Sequence, residues 1–324
     1  MGNKKNIIKK PGVKTLSIHH GETFSEETGC VMPPIFSTST FKHGNKGNFD
    51  YTRSGNPNFK ILENILKSIE ESKYCTIFGS GISAVTAITS SLKSGDKILC
   101  ESNLYGCTVR MFDKIFKKFG IEVLYTDFTN KENFKEIKDF QPTLIWLESP
   151  TNPLLKVLDI KLICNEANKY KIPVVLDNTF STALIQKPLE LGATLSLIST
   201  TKFINGHSDA LGGAVLTNNE EWNNKMLFSQ KALGLQPSPF DTWLITRGVK
   251  TLPLRIEQQT KSAEIISKEI EKHRIISKVF YPFNQKHPQF NLAKSQMKSG
   301  GSMITLKLNL NKADTFKFCK SLRY

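Results

Sequence analysis

Three side chains with reactive groups follow an apolar run in the segment ATLSLISTTKFINGHSDALGG, residues 193–213. They are Ser199, Thr201 and Lys202, and the segment ends in paired glycines. A lysine just past a buried strand can be partly desolvated, which lowers its pKa and gives a nucleophilic amine able to form a Schiff base. Because the chain is rich in lysine, a surface position is the ordinary alternative for Lys202.

A glycine-rich turn, FGSGISA at residues 78–84, offers a second kind of chemistry. It lies between a predicted strand and a predicted helix, so that N–H groups at the start of the helix can bind a phosphate. Gly79, Gly81 and Ala84 also satisfy the dinucleotide fingerprint G-x-G-x-x-A, with the acid Glu101 about twenty residues further on. Spacing alone therefore leaves a nicotinamide site open beside a site for another phosphate-bearing group.

The spacing of Ser199 and Lys202 is also that of the acylating S-x-x-K motif in penicillin-recognising enzymes. The partner motifs of those enzymes are not present. Ser208-Asp209 is followed by alanine where asparagine is required, and Lys250-Thr251 by leucine where glycine is required. The serine of that motif opens a helix, whereas Ser199 ends a predicted strand, and we reject this alternative.

Short apolar strands alternate with amphipathic helices from about residue 60 onward, which predicts an α/β fold. The strands should form a mostly parallel sheet covered by helices. In such sheets ligands bind beyond the carboxyl ends of the strands, which brings Glu148, Asp177 and the group at residues 199–202 to one crevice. The predicted strands are TIF, KILC, IEVLYTDF, TLIWLE, IPVVLDN, ATLSLIS and AVLT.

The composition narrows the classes of partner. The formal net charge of +15 suggests a polyanion, but the lysines are spread along the chain without one long basic block, so we expect no nucleic-acid binding. Six cysteines without a C-x-x-C pair indicate reduced thiols, and six histidines without an H-x-x-x-H pair argue against a metal site. No stretch approaches the roughly 18 apolar residues of a membrane span, so we expect no membrane partner and a cytoplasmic location.

A pyridoxal phosphate site accounts for all the reactive elements together. This cofactor needs a phosphate cradle, a lysine that forms an imine, and an acid that keeps the pyridine nitrogen protonated so that the ring accepts electrons. The groups are supplied by Gly81 for the phosphate, Tyr105 as an aromatic, Asp177 as the acid, Ser199 and Thr201 as hydroxyls, and Lys202 as the amine.

Four longer motifs resemble one enzyme family. They are YTRSGNP at 51–57, WLESPTNPLLKV at 146–157, VVLDNTF at 174–180 and STTKFINGHSDALGG at 199–213. Together and in this order they resemble the Cys/Met metabolism, or trans-sulfuration, family of pyridoxal phosphate enzymes over about residues 15–324. The resemblance implies fold type I, the aspartate aminotransferase-like architecture.

The resemblance also implies a role for each site residue. Lys202 and Tyr105 are the catalytic residues: Lys202 holds the cofactor and moves protons, and Tyr105 stacks on the ring and assists these transfers. Tyr51 and Arg53 are implied as phosphate ligands in the neighbouring subunit's site, in a homodimer that pairs into a homotetramer. The remaining cofactor ligands are implied to be Gly81, Ile82, Asn152, Asp177, Thr179, Ser199 and Thr201.

Three segments are predicted along the chain. Residues 1–58 form an arm that contacts the neighbouring subunit, residues 59–256 the large pyridoxal phosphate-binding domain, and residues 257–324 a smaller α+β domain that looks incomplete. Members of the family continue past the position of Tyr324, where they carry an arginine that binds the substrate carboxylate. We therefore also expect, as an alternative, a truncated and catalytically impaired cofactor-binding or oligomerising protein.

The cofactor site alone does not select one reaction, because the same residues serve several activities on amino-acid substrates. The segments TKFINGHSDALGG and SPFDTWLITRGVKTLPLR are most similar to those of the bacterial synthases in the family. We therefore expect γ-replacement on an O-acylhomoserine by cysteine. The alternatives are β-elimination or γ-elimination of cystathionine, and sulfhydrylation of a homoserine ester.

Overall fold

Apolar stretches of four or five residues form a central seven-stranded sheet in the computed structural model, which describes residues 11–20 and 29–323. The strands are β1 Tyr74–Phe78, β2 Lys97–Glu101, β3 Glu122–Thr126, β4 Leu144–Glu148, β5 Val174–Asp177, β6 Leu195–Ile198, β7 Gly213–Thr217, β8 Ile276–Phe280 and β9 Thr305–Leu308. Their order across the sheet is β1-β7-β6-β5-β4-β2-β3, while β8 and β9 pair separately.

The five strands from β2 to β6 are parallel to one another, and β7 is antiparallel to both of its neighbours. Parallel pairing aligns the carboxyl ends of adjacent strands, as at β4 and β5, where Glu148 is opposite Asp177. The predicted α/β fold with a mostly parallel sheet is therefore confirmed, and all seven predicted strands are present.

The helices pack on both faces of this sheet, and several begin at a side-chain cap. The Asn56, Ser80 and Asp159 side chains each accept a hydrogen bond from the first turn of a helix. The helices are α1 Val13–His19, α2 Pro57–Glu70, α3 Gly81–Thr89, α4 Gly106–Lys114, α5 Lys135–Phe140, α6 Ile160–Asn168, α7 Thr182–Ile185, α8 Glu220–Ala232, α9 Pro239–Val249, α10 Leu252–Ile270, α11 Phe290–Gln296 and α12 Lys312–Ser321.

Strand β4 shows how the sheet is buried on both faces. Leu144 and Trp146 belong to one apolar cluster, in which the indole ring meets Phe112 edge-on at 5.2 Å between ring centroids. Ile145 and Leu147 point the other way into a second cluster. Since successive residues of a strand face opposite sides, a fully apolar strand indicates a sheet covered on both.

The chain beyond the large sheet builds a smaller layer. Ala263 of α10 packs against Val279 and Tyr281, next to the antiparallel pair β8 and β9. The expected boundary between residues 256 and 257 lies inside α10, and the three-segment division stays a proposal. The sequence did not predict α1, α5, α7, α11 or β8. In residues 11–20 and 29–323, no helix has both the length and the apolar character needed to cross a bilayer.

A buried acid at the end of α2 carries an electrostatic cost. Glu70 is 1% exposed, and its carboxyl oxygens make no hydrogen bond to the described part of the chain, although the Leu189 amide and the Ser196 hydroxyl lie near. Burial raises the pKa of Glu70 from 4.5 to about 8, against the opposing charge of Lys187. Glu70 is therefore mostly protonated in the folded chain at neutral pH.

We predict that Glu70→Gln removes a pH dependence of stability. As the pH rises from 4.5 to about 8, the unfolded chain loses the Glu70 proton while the folded chain keeps it, so the free energy of unfolding falls in this window. The amide does not ionise, and we expect the variant to be more stable than wild type by about 1–3 kcal/mol at pH 8 but not at pH 4.5. Urea denaturation at both pH values measures this.

The matched control is Glu269→Gln, which removes a carboxylate that is 65% exposed and pairs with Lys272. It should leave the pH dependence of unfolding unchanged. An equal pH slope in wild type and Glu70→Gln would contradict the assignment.

Candidate active site

A cavity of about 1040 Å³ lies at the carboxyl edge of the parallel strands. The structure brings most of the predicted site residues to this cavity from five separate stretches of the chain. Those that line it are Gly81, Ile82, Tyr105, Asn152, Asp177, Thr179, Ser199, Thr201 and Lys202. The crevice expected from the strand-end rule is therefore present.

The start of α3 forms one wall of the cavity. The Ser80 side chain accepts a hydrogen bond from the Ser83 amide, while the Gly81 and Ile82 amides make none to the described residues. A methyl group in place of the Gly81 hydrogen would lie 2.8 Å from Cβ of Ser199. Glycine is therefore required here, because it lets the helix start approach the end of β6.

The loop after β6 holds the reactive lysine. The Thr201 hydroxyl donates to the Gly212 carbonyl at 3.1 Å and accepts from the Gly212 amide at 3.0 Å. Lys202 is exposed along the cavity, so the partial burial expected from the sequence is not found. The position of its ammonium group is set instead by the backbone, which is held by hydrogen bonds on both sides of Lys202.

Arg255 of α10 is a positioning residue of this loop that the sequence analysis did not find. Its guanidinium donates to the carbonyls of Phe203 at 2.7 Å, Ile204 at 3.1 Å and Gly248 at 3.0 Å. Arginine suits such a cluster because its five N–H groups are fixed in a plane. No signal in the sequence near Arg255 distinguishes it, since two of these three acceptors, Phe203 and Ile204, lie 52 and 51 residues away.

Asp177 ends β5 at the middle of the parallel strands. Its Oδ1 accepts the Thr179 amide at 3.0 Å, and the Thr179 hydroxyl in turn accepts the Ser199 amide at 2.9 Å. Burial raises the pKa of Asp177, and the hydrogen bonds from Thr179 oppose this shift. No basic side chain of the described residues forms an ion pair with Asp177, so a cation entering the cavity would find an uncompensated acid.

Glu148 ends β4 beside Asp177 and also lines the cavity. Its Oε2 accepts the Tyr105 amide and its Oε1 the Asn152 amide, both at 2.7 Å. Burial and the charge of Asp177 raise the pKa of Glu148 well above its ordinary value, while these two amides oppose the shift. The strand-end rule placed Glu148 at the crevice, but no role was predicted for it.

Tyr51 and Arg53 do not join the other predicted site residues. They line a second cavity of about 380 Å³, together with Ser39 and Gln236. The Arg53 guanidinium lies 5.4 Å from the Tyr51 ring and donates to the Lys231 carbonyl at 2.9 Å. Within one chain, these two residues are therefore separate from Lys202.

The residues that line the larger cavity fit pyridoxal phosphate. The unpaired amides at the start of α3, with the Ser199 hydroxyl, suit a phosphate, and a glycine keeps this cradle open. Asp177, an acid without a basic partner, suits a protonated pyridine nitrogen, and Lys202 supplies the amine. Gly79 and Glu101, the other parts of the dinucleotide fingerprint, do not line this cavity.

Fold and side chains together define a pyridoxal phosphate-dependent enzyme of fold type I. The chain belongs to the Cys/Met metabolism PLP-dependent enzymes, whose family model matches residues 14–324. Its cofactor is accordingly pyridoxal phosphate.

Relatives within the family share most of this chain. The chain is 40% identical to a probable cystathionine gamma-synthase from Herpetosiphon aurantiacus over 92% of this chain and 94% of that protein. It is also 40% identical to a cystathionine gamma-lyase from Dictyostelium discoideum, over 90% of this chain and 76% of the relative.

A solved relative has the same fold. The structure of cystathionine gamma synthase from Xanthomonas oryzae pv. oryzae in complex with cystathionine superposes with a TM-score of 0.93 at 34% identity, covering 97% of this chain and 82% of that one. The chain is therefore a member of a trans-sulfuration enzyme family, and the comparisons do not favour the expected alternative of an impaired cofactor-binding or oligomerising protein.

We predict that Gly81→Ala weakens cofactor binding. The added methyl group would meet Ser199 at 2.8 Å and push the α3 amides away from the phosphate. We expect the Kd for pyridoxal phosphate to rise about tenfold or more, which corresponds to about 1.4 kcal/mol. Spectrophotometric titration of the apoprotein measures the Kd.

The matched control is Gly106→Ala. Gly106 is also the first residue of a helix, but a methyl group there would meet nothing within 4 Å. Equal affinities of the two variants for the cofactor would show that the space at Gly81 is not needed.

Proposed function

We propose that this protein is a cystathionine γ-synthase, which replaces the γ-substituent of an O-acylhomoserine by cysteine. The observation that carries the proposal is the single cavity in which the lysine, the acid at the end of β5 and the cradle of α3 meet. Its volume of about 1040 Å³ leaves room beside the cofactor for a branched thioether product. Similarity to a synthase solved with cystathionine supports this choice of product.

Each cavity residue has a part in the proposed reaction. When bound, pyridoxal phosphate supplies an electron sink for charge that develops at the substrate Cα. Nζ of Lys202 would take the Cα proton and pass it on within the site, with Tyr105 assisting, so that the free amine can then take a Cβ proton. The acyl group would leave Cγ as a carboxylate, and the cysteine thiol would lose its proton as its sulfur forms the C–S bond at Cγ. The protons held in the site would then return to Cβ and Cα through Lys202.

The other residues bind and orient. Asp177 keeps the pyridine nitrogen protonated, since a carboxylate beside it favours the charged form. Gly81 and Ile82 would donate their amides to the phosphate, together with the hydroxyl of Ser199. Thr201 would add its hydroxyl by releasing the Gly212 carbonyl, and Asn152 would contact the ring hydroxyl. Thr179 joins the strand ends of the acid and of the phosphate cradle, through its contacts with Asp177 and Ser199.

A second candidate function is γ-elimination of cystathionine. It is favoured by the identity of 40% to a cystathionine gamma-lyase, the same as that to the probable synthase. The same residues serve both reactions, and β-elimination as well, because all of them begin with removal of the Cα proton. Differences in substrate binding, outside the shared cofactor site, would separate the three activities.

We also propose that the active site is completed by a second copy of the chain, in a homodimer or a tetramer of two dimers. Tyr51 is 41% exposed, and Tyr51 and Arg53 line a cavity of their own. Helix α9 adjoins both cavities, with Pro239 at the smaller and Asp241 at the larger. The side chains of Leu211 and Phe240, 58% and 53% exposed, supply apolar surface for such an interface.

Three buried thiols, Cys75, Cys100 and Cys164, support a reducing, cytoplasmic location.

We predict that the purified protein with pyridoxal phosphate converts O-succinylhomoserine and cysteine to cystathionine and succinate. Supplied with cystathionine alone, it should release little 2-oxobutyrate or homocysteine. Mass spectrometry of the products separates the activities: 2-oxobutyrate with cysteine identifies a γ-lyase, and homocysteine with pyruvate a β-lyase. Either result in place of synthesis would overturn the γ-synthase proposal.

Lys202→Ala tests the class of enzyme independently. This variant should lose both turnover and the visible absorption of the bound cofactor. Lys225→Ala, which removes a surface lysine paired with Glu221 at 2.7 Å, should keep both. A colourless wild-type protein after reconstitution would contradict the proposed cofactor chemistry.

We predict that two inactive variants, Arg53→Ala and Lys202→Ala, restore activity when they are mixed and allowed to exchange subunits. Each mixed dimer has one site with both substitutions and one intact site. At equal amounts and random exchange, about a quarter of all sites should be intact. Activity that never exceeds that of the separate variants would show that Arg53 acts within its own chain.

A further inference from the structure

The Glu148 carboxylate makes two contacts that the proposed reaction leaves unexplained. One of its oxygens accepts the amide of Tyr105 and the other the amide of Asn152, and both distances are 2.7 Å. These amides belong to two loops that are far apart in the sequence, one after β2 and the other after β4. Glu148 is 7% exposed, so water competes little for these hydrogen bonds.

The nearest other hydrogen bond from the backbone around Tyr105 to a carboxylate, among the described residues, is that of the Asn103 amide to Glu101 at 3.0 Å. The Tyr105 carbonyl accepts the amides of Thr108 and Val109 at the start of α4, and its own amide goes to Glu148. Tyr105 caps α4 without a side-chain hydrogen bond. A carboxylate near the start of a helix is also favoured by the helix dipole. Glu148 therefore fixes the residue from which the 44% exposed phenol side chain projects into the cavity.

The loop of Asn152 is held in a similar way. Its neighbour Thr151 accepts the Leu155 amide and donates its own amide to the Lys156 carbonyl, whereas the Asn152 amide bonds to Glu148. Two side chains that line the cavity thus depend on one carboxylate. That carboxylate is itself fixed by the sheet, since Glu148 pairs in register with Asp177.

We propose that Glu148 is a positioning residue that sets Tyr105 and Asn152 against the cofactor, through hydrogen bonds to their backbone amides. The inference rests on the proposed function, in which both residues contact the cofactor ring. Glu148 itself needs no contact with substrate in this role. Both carboxylate oxygens of Glu148 are needed, because a single amide hydrogen bond would leave the other loop without its hydrogen bond to Glu148.

The chain offers a matched control in Glu101. This residue is fully buried, ends the neighbouring strand β2 and also accepts two backbone amides, those of Asn103 and Phe128, at 3.0 Å each. Neither Asn103 nor Phe128 lines the cavity. Glu101→Gln therefore makes the same chemical change at the end of a neighbouring strand. It weakens the hydrogen bonds of Asn103 and Phe128 and the ion pair with Lys156, but it leaves the Tyr105 and Asn152 amides bonded to Glu148.

The test compares Glu148→Gln with Glu101→Gln in the holoenzyme. Glutamine keeps one acceptor oxygen and turns an N–H group toward the second amide. Only one of the two loops then keeps its hydrogen bond to residue 148. We expect kcat of Glu148→Gln to fall about tenfold to a hundredfold, as a displacement near 1 Å at an active site does. The visible circular dichroism of the bound cofactor should also fall, since it reports how the ring is held. Glu101→Gln should keep kcat within about twofold and an unchanged dichroism, even if both variants lose thermal stability.

A second measurement separates positioning from a general loss of structure. In the background Tyr105→Ala with Asn152→Ala, adding Glu148→Gln should change the Kd for pyridoxal phosphate by less than about twofold, because the groups it positions are gone. If Glu148→Gln does not fold, Glu148→Asp takes its place, since it keeps the charge but is too short for both amides.

Three results would overturn the inference: unchanged kcat and dichroism in the Glu148 variant, equal losses in the Glu101 variant, or fully additive effects in the double-alanine background. A wild-type protein that binds no cofactor would instead refute the proposed function. The two failures are therefore distinguishable.

Discussion

Alignment of parallel strand ends is the constraint on which this site depends. Adjacent parallel strands place residues of equal register side by side, so that Glu148 and Asp177 lie together at one edge of the sheet. Burial raises the pKa of both acids, and the charge of Asp177 raises the pKa of Glu148 further. Glu148 is compensated by two backbone amides, whereas Asp177 is left for a cation in the cavity. The fold thus places an acid, Asp177, where it favours a protonated pyridine nitrogen before any cofactor is bound.

Close approach between backbone segments is the second requirement. Gly81 meets Ser199, and Gly213 meets the backbone of Ser80, so that the start of α3 and the ends of β6 and β7 converge. Larger residues at these positions would separate the phosphate cradle from the lysine loop. Arg255 holds the other side of that loop through three carbonyl groups. The reactive lysine is therefore exposed to the cavity while its backbone is fixed.

Much of this arrangement could be predicted from the sequence, because its signals are local or periodic. Apolar runs of strand length gave the seven strands, and the strand-end rule gave the edge where Asp177 and Lys202 meet. Distant hydrogen bonds carry no such signal. Arg255 and the amide contacts of Glu148 depend on which loops meet in space, and Tyr51 and Arg53 lie apart from Lys202 within one chain. Helix α1 was missed because a helix of seven residues, of which only Ser17 is fully buried, is too short to show a helical period in the sequence.

Lys202 is the residue to which we propose the cofactor is joined. Reduction of the holoenzyme with borohydride, followed by digestion and mass spectrometry, locates the phosphopyridoxyl group on the chain. We expect the label on the peptide containing Lys202, in a stoichiometry close to one per chain. Label on another lysine, or no label on a protein that is shown to be folded, would contradict it.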